Sequence, residues 1–221
     1  MAAFKNRIDI QEDEAAREKY GVDIPLLVFT DMKVVDSSLK TMNDSFESYS
    51  NIDPSRTDFK QVMAQSFAAG CTMMVNRALL NLLQETPSGQ FMIMHDWWIS
   101  LIAAGFGHIG YVPQATSLYR QHGDNSIGAK RFSILKAVSV PKKMVSSFRA
   151  TVQQATSFRE IYGDRLDADK LECLSYFVSI GQKGLIPRLF SLFKSDAWKK
   201  GARKIGQIYA VLTYRLYHFN S

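Results

Sequence analysis

Pro25 opens a run of four apolar residues, Leu26-Leu27-Val28-Phe29, closed by Thr30-Asp31. A short continuous apolar run bounded by a proline and a polar pair reads as a strand buried on both faces. Such a strand needs cover on each side, so the chain must supply a sheet with helices packed on it. The rest of the first 128 residues offers those pieces. Small residues lead into Cys71-Thr72-Met73-Met74-Val75, Asn76 can cap a helix from Ala78 to Gln84, and Trp97 to Ala104 reads as an apolar helix. His108 to Val112 and Ser117 to Arg120 are strand-like and separated by Pro113. The class expected is α/β.

The composition divides the chain in two. Residues 1–128 carry 10 Lys/Arg against 15 Asp/Glu, whereas residues 129–221 carry 17 against 6, so an acidic first part of charge −5 precedes a basic second part of charge +11. The second part reads as helices over Arg131–Thr156, Asp167–Ser179 and Trp198–Phe219. In the last of these Ile205, Ile208, Tyr209, Leu212 and Leu216 share one face, and Lys199, Lys200, Arg203 and Lys204 gather at its start. Two readings stay open for this helix: it packs on its own domain, or it lies on an anionic membrane surface. No nucleic-acid-binding motif accompanies the charge, so nucleic acid is not the expected partner. At 46% hydrophobic residues the chain can bury a core, and no window approaches the ~18 apolar residues of a spanning helix. Met1 to Arg7 turns charged before any apolar run, so no secretory signal of the usual form is expected. Cys71 and Cys173, with neither metal-type nor CxxC spacing, are expected as free thiols. The location expected is cytoplasmic, with peripheral attachment to the inner face of the membrane as the alternative to free solution.

Several residues carry chemical interest. In Met94-His95-Asp96-Trp97-Trp98 an acid stands at the head of an apolar helix beside two indoles. Asp96 can cap the helix, or serve as a base if the rings desolvate it. Asp31 and Asp36 follow the first strand, where ligands gather in open α/β sheets, and both serve equally well as turn residues. Asn43 to Thr57 reads as a surface loop, Phe59 to Phe67 as a short amphipathic helix, and residues 5–20 as a charged helix closed by Gly21. His122, in the polar loop Gln121 to Gly128, reads as a surface or hydrogen-bonding residue more readily than as a metal ligand.

Four blocks taken together, Phe29-Thr30-Asp31-Met32-Lys33-Val34-Val35-Asp36, Gly70 to Arg77, His95-Asp96-Trp97-Trp98 and Tyr119-Arg120-Gln121-His122-Gly123-Asp124-Asn125-Ser126, resemble in order and spacing the family 2 glycosyltransferases, and among them the bacterial rhamnosyltransferase-like enzymes of surface polysaccharides. The resemblance covers roughly residues 20–135. It implies a partial GT-A fold that moves a sugar, with inversion, from a nucleotide-sugar donor to a glycan or lipid-linked acceptor. Asp96 matches the catalytic base. Ala69, Gly70 and Cys71 match the loop near donor and acceptor, with His95, Trp97, Trp98 and Arg120 as further substrate-binding positions. His122 matches a residue that helps to hold a divalent metal, magnesium or manganese, or the donor diphosphate. The domains expected are an acceptor-side part over 1–128 and a basic helical region over 129–221.

The family's nucleotide-binding half and its Asp-x-Asp motif have no counterpart here, and Lys5-Asn6-Arg7-Ile8 resembles the helix that follows them. The chain is therefore expected to be incomplete as an enzyme, completed by a missing N-terminal half or partner chain, or to be a non-catalytic scaffold at the membrane. With those strands absent, Leu26 to Phe29 is expected to be an open apolar edge prone to pairing with another chain.

Overall fold

A computed structural model describes residues 24–121 and 141–215. Within them lie a four-stranded mixed sheet and eight α-helices, arranged as two compact units. The first comprises residues 24–57, 67–85 and 95–121, and the second residues 58–66, 86–94 and 141–215. The expected helix over residues 5–20, and Arg131 to Val140 of the expected basic helix, lie outside the described residues.

The first unit is built on β1, Leu26–Val35, in which Lys33 alone is exposed. Strand β4, His108–Arg120, runs parallel to it from Leu26 opposite His108 to Val35 opposite Arg120. That pairing fills one edge of β1 along its whole length. The other edge is shared by β3, Met73–Val75, antiparallel to Leu27–Phe29, and by β2, Thr41–Asn43, antiparallel to the end of β1. The expectation of an open edge at Leu26–Phe29 is thus overturned, and with it the ground for a strand donated there by a partner chain. The strand that covers this edge comes from residues far along the sequence, a pairing that no local pattern announces.

Pro113 does not divide two strands, as its sequence position suggests. β4 runs through it and takes up Pro113 and Gln114 as extra residues between Val112, opposite Thr30, and Ala115, opposite Asp31. A proline has no N–H for the ladder and is tolerated at such an irregularity. Across it the hydroxyls of Thr30 and Thr116 share a hydrogen bond of 2.6 Å.

Helices α1, Phe46–Ser50, α3, Arg77–Gln84, and α4, His95–Phe106, complete the unit. α1 falls inside the segment expected as a loop, its start capped by Ser45, whose side chain accepts the Ser48 N–H at 3.0 Å. Asn76 caps α3 as its position suggested. It accepts the N–H of Leu79 and also that of Leu26, each at 3.0 Å, tying the helix start to the start of β1. α4 buries Trp97, Trp98, Leu101, Ile102, Ala103 and Ala104, and its apolar girth suits a central helix. It turns into β4 at Gly107, where a Cβ would fall 1.8 Å from the Pro25 carbonyl oxygen, so only glycine fits.

The second unit is helical: α2, Phe59–Ala64, α5, Pro141–Tyr162, α6, Ala168–Ser179, α7, Leu185–Ser195, and α8, Arg203–Leu212. Phe148, Val152, Ala155, Phe158 and Tyr162 recur at three- and four-residue spacing on the buried side of α5. Phe177 of α6 and Phe59 of α2 meet this stripe edge-on and tilted, with ring centroids 5.9 Å from Phe148 and 5.7 Å from Phe158. Asp167 caps α6 through the Lys170 N–H at 2.9 Å. α7 has no counterpart in the sequence reading. The expected long last helix is helical only over Arg203–Leu212: residues 198–202 and 213–215 are turns or irregular, so its expected start at Trp198 is corrected, and residues 216–221 lie outside the described residues. Its buried side is Gln207, Ala210 and Val211, so the Ile205 to Leu212 stripe is not its packing face.

Candidate functional site

The first unit brings two distant sequence blocks together. The small-residue run ends in a 3-10 turn at Gly70–Thr72, closed by the Thr72 N–H and hydroxyl, both donating to the Ala69 carbonyl at 2.9 and 2.8 Å. Because β3 is held against Leu27–Phe29, the turn before it is delivered beside the middle of β1, and Cys71 Sγ lies 3.6 Å from Met32 Sδ. There the Gly70 N–H donates to Asp96 Oδ2 at 3.2 Å. A Cβ on Gly70 would sit 3.2 Å from Asp96 Cβ and 3.3 Å from His95 Nε2, closer than most Cβ contacts. The absence of a side chain at Gly70 is what lets the backbone reach the acid.

Asp96 lies inside the first turn of α4, two residues after the cap position at Met94, and its Oδ1 accepts the Trp97 N–H at 2.7 Å. An acid in this turn is favoured by the unpaired N–H groups of the helix start. The carboxylate is thereby held at both oxygens by backbone N–H groups while remaining half-exposed, with the exposed ring of His95 next to it. Ala69 is half-exposed and Cys71 exposed on the same turn.

The other sequence-derived positions fall elsewhere. Trp98 is fully buried and Trp97 is 6% exposed, so both indoles lie within the core of the first unit. Arg120, exposed at the end of β4, pairs with Val35, three strand positions or about 10 Å beyond Met32. His122 lies outside the described residues. Asp36 is a turn residue, its Oδ1 accepting the N–H groups of Ser38 and Lys40 at 2.8 and 2.9 Å between β1 and β2.

Asp31 has another post. It is 7% exposed, and its Oδ1 accepts the N–H groups of Met32, Phe46 and Glu47 at 2.7, 3.0 and 3.4 Å, anchoring the start of α1 on the sheet. Beside it Glu47, 6% exposed, is hydrogen-bonded to the Tyr111 hydroxyl. Burial, with the nearby charges of Asp31 and Asp53, pushes the Glu47 carboxyl up to about 7 despite the Tyr111 bond. Burial and the same carboxyl raise Tyr111 above the ordinary phenol range. Sequence reading missed Glu47 and Tyr111, the first hidden in an apparent loop and the second in an ordinary strand.

A divalent cation such as magnesium takes about six oxygen ligands. Around Asp96 the described side chains offer one carboxylate and one imidazole, and no group of three or more His, Cys, Asp or Glu among the described residues could hold a metal. These two residues alone do not make a donor set for such a cation, and His122, which the resemblance assigns to the metal, is not among the described residues. No helix among the described residues is long and apolar enough to cross a membrane. No protein-family model, curated protein or solved structure matches this chain.

Proposed function

We propose that the first unit is the acceptor-side part of an inverting sugar transferase of the GT-A kind, in which Asp96 takes the proton from the acceptor hydroxyl. One observation carries this reading: Asp96 is fixed by the N–H groups of Gly70 and Trp97 and stays half-exposed beside the exposed ring of His95, where a hydroxyl can reach it. Each carboxylate oxygen so held keeps a lone pair for a hydroxyl. The hydroxyl oxygen attacks the anomeric carbon, its proton passes to Asp96, and the bond to the donor's diphosphate breaks on the opposite face with both electrons leaving on the diphosphate. A base positioned in this way contributes about 10²–10⁴-fold. No step runs through a metal, and the sugar, rhamnose by resemblance, and its nucleotide carrier are part of the proposal.

The test uses the full chain and a panel of mono- and oligosaccharides, followed by the NMR signals of the His95 ring. Saccharide binding should move those signals, and Asp96→Asn should weaken binding or, where transfer from a nucleotide-sugar is measurable, slow it by about 10²-fold or more. No response of His95 to any saccharide, or transfer indifferent to Asp96→Asn, would overturn the proposal.

A further inference from the structure

α7 presents its apolar residues to solvent. Leu185 is 49% exposed, Ile186 80%, Phe190 54% and Phe193 65%. At 100° per residue these four span about 140° of the helix circumference. The opposite side carries the buried contacts, through Arg188, Ser191, Leu192 and Ser195. Arg188 holds that side in place, donating to the carbonyls of Val211 and Lys183 at 2.9 Å each. The helix is thus oriented by a polar interior and turned inside out relative to an ordinary surface helix.

Cations rim the apolar face. Lys194 Nζ lies 5.7 Å from the Phe190 ring centre, and Lys204 Nζ 4.2 Å from that of Trp198, whose indole meets Phe193 edge-on at 5.2 Å. On α8, Ile205 and Leu212 are exposed at 60% and 44%. Within residues 181–204 seven Lys or Arg stand against a single acid, Asp196, whose carboxylate is paired with Lys60; of the seven Arg188 is buried, Lys183, Lys199, Lys200 and Arg203 are half-buried, and Lys194 and Lys204 are exposed.

We propose that the exposed face of α7, continued by Trp198 and Ile205, inserts into the interfacial layer of an anionic lipid leaflet. The charge selects that occupant. Aliphatic and phenyl groups on one side with ammonium groups at their rim match acyl chains below and lipid phosphates above, the arrangement of helices that lie in a membrane interface. Nucleic acid would meet the cations but leave Ile186 and Leu185 without a counterpart. Trp198 sits where indoles favour the headgroup level. This inference rests on none of the roles assigned at Asp96.

The test is co-sedimentation of the full chain with phosphatidylglycerol-rich and with pure phosphatidylcholine vesicles. Ile186→Asp combined with Phe193→Asp, both at exposed positions and with retention of the fold checked by circular dichroism, should lower binding to the anionic vesicles more than tenfold. Lys194→Glu with Lys204→Glu should lower it about tenfold or more and spare any weak binding to phosphatidylcholine, since each lysine near an anionic surface is worth roughly a fivefold change. Trp97 and Trp98 are buried, so a blue shift of tryptophan emission on vesicle addition reports Trp198, the third of three tryptophans. Equal affinity for both vesicle types, or binding indifferent to the Ile186 and Phe193 changes, would overturn the proposal. So would a dimer that dissociates in that double variant without any vesicle binding by the parent chain.

Discussion

Gly70 and Asp96, 26 residues apart in the chain, are joined by a backbone N–H to carboxylate hydrogen bond of 3.2 Å. The contact exists because β3 pins the glycine turn to β1 while α4 brings its first turn to the same place. Gly70→Ala would place a methyl 3.2 Å from Asp96 Cβ and 3.3 Å from His95 Nε2. The His95 ring can swing aside but Asp96 Cβ is fixed by the α4 backbone, so the turn must shift by a few tenths of an ångström, at an expected cost of about 1–2 kcal/mol by chemical denaturation. The His95 ring signals should move in the NMR spectrum, and unchanged His95 signals would show that the cradle is not as tight as described.

Gly107 meets backbone, which cannot yield. Gly107→Ala puts a Cβ 1.8 Å from the Pro25 carbonyl oxygen, the same oxygen that accepts the His108 N–H at 2.9 Å where β4 begins. The start of the parallel pairing must then separate, at an expected loss of about 3 kcal/mol in urea unfolding. Gly184→Ala, where a Cβ meets nothing within 4 Å, is the control and should cost less than about 1 kcal/mol.

Asn76 performs two tasks with one side chain. Its Oδ1 accepts from Leu79 and Leu26, and its Nδ2 donates to the Ile24 carbonyl at 2.8 Å. Asn76→Ala should cost about 2–3 kcal/mol, the loss of a helix cap together with a tie to β1. Asn76→Asp keeps the acceptor for Leu79 and Leu26 but sets a carboxylate oxygen against the Ile24 carbonyl in place of the donor, so it too should destabilise, by less than Asn76→Ala; a greater loss than in Asn76→Ala would show that the tie to Ile24 outweighs the cap.

Glu47 makes stability depend on pH. Its carboxyl rises from 4.5 to about 7 on folding, so between those values the folded state holds the proton that the unfolded state has released. Stability is therefore full below about pH 4.5 and falls as pH rises towards 7, by about 1–2 kcal/mol once solvent screening is allowed for. Glu47→Gln keeps an acceptor for the Tyr111 hydroxyl and removes the titration. Its stability should exceed that of the parent above pH 7 and match it near pH 4.5, with the melting temperature followed across that range as the measurement.

Local chemistry made part of this structure readable in advance. The buried strand after Pro25, the cap Asn76 and the short helix from Phe59 follow from apolar runs and from side chains that satisfy nearby N–H groups, interactions that span a few residues. The proximity of Gly70 to His95 and Asp96 was suggested only by a pattern of blocks; geometry supplied the hydrogen bond.

What the sequence by itself determined is the α/β class, the order of strands and helices around Asp96, and the division into an acidic and a basic part. Tertiary structure alone decided which edges of β1 are covered, that Asp31 anchors α1, that Glu47 meets Tyr111, and which sides of α7 and α8 face outward. The physical reason is the same in each case. A helical face or a strand edge is apolar or polar in itself, but whether it is buried depends on partners brought from far along the chain. In α7 the deciding partner is Arg188, whose hydrogen bonds to Val211 and Lys183 hold a polar side inward and leave Ile186 and Phe193 to the solvent.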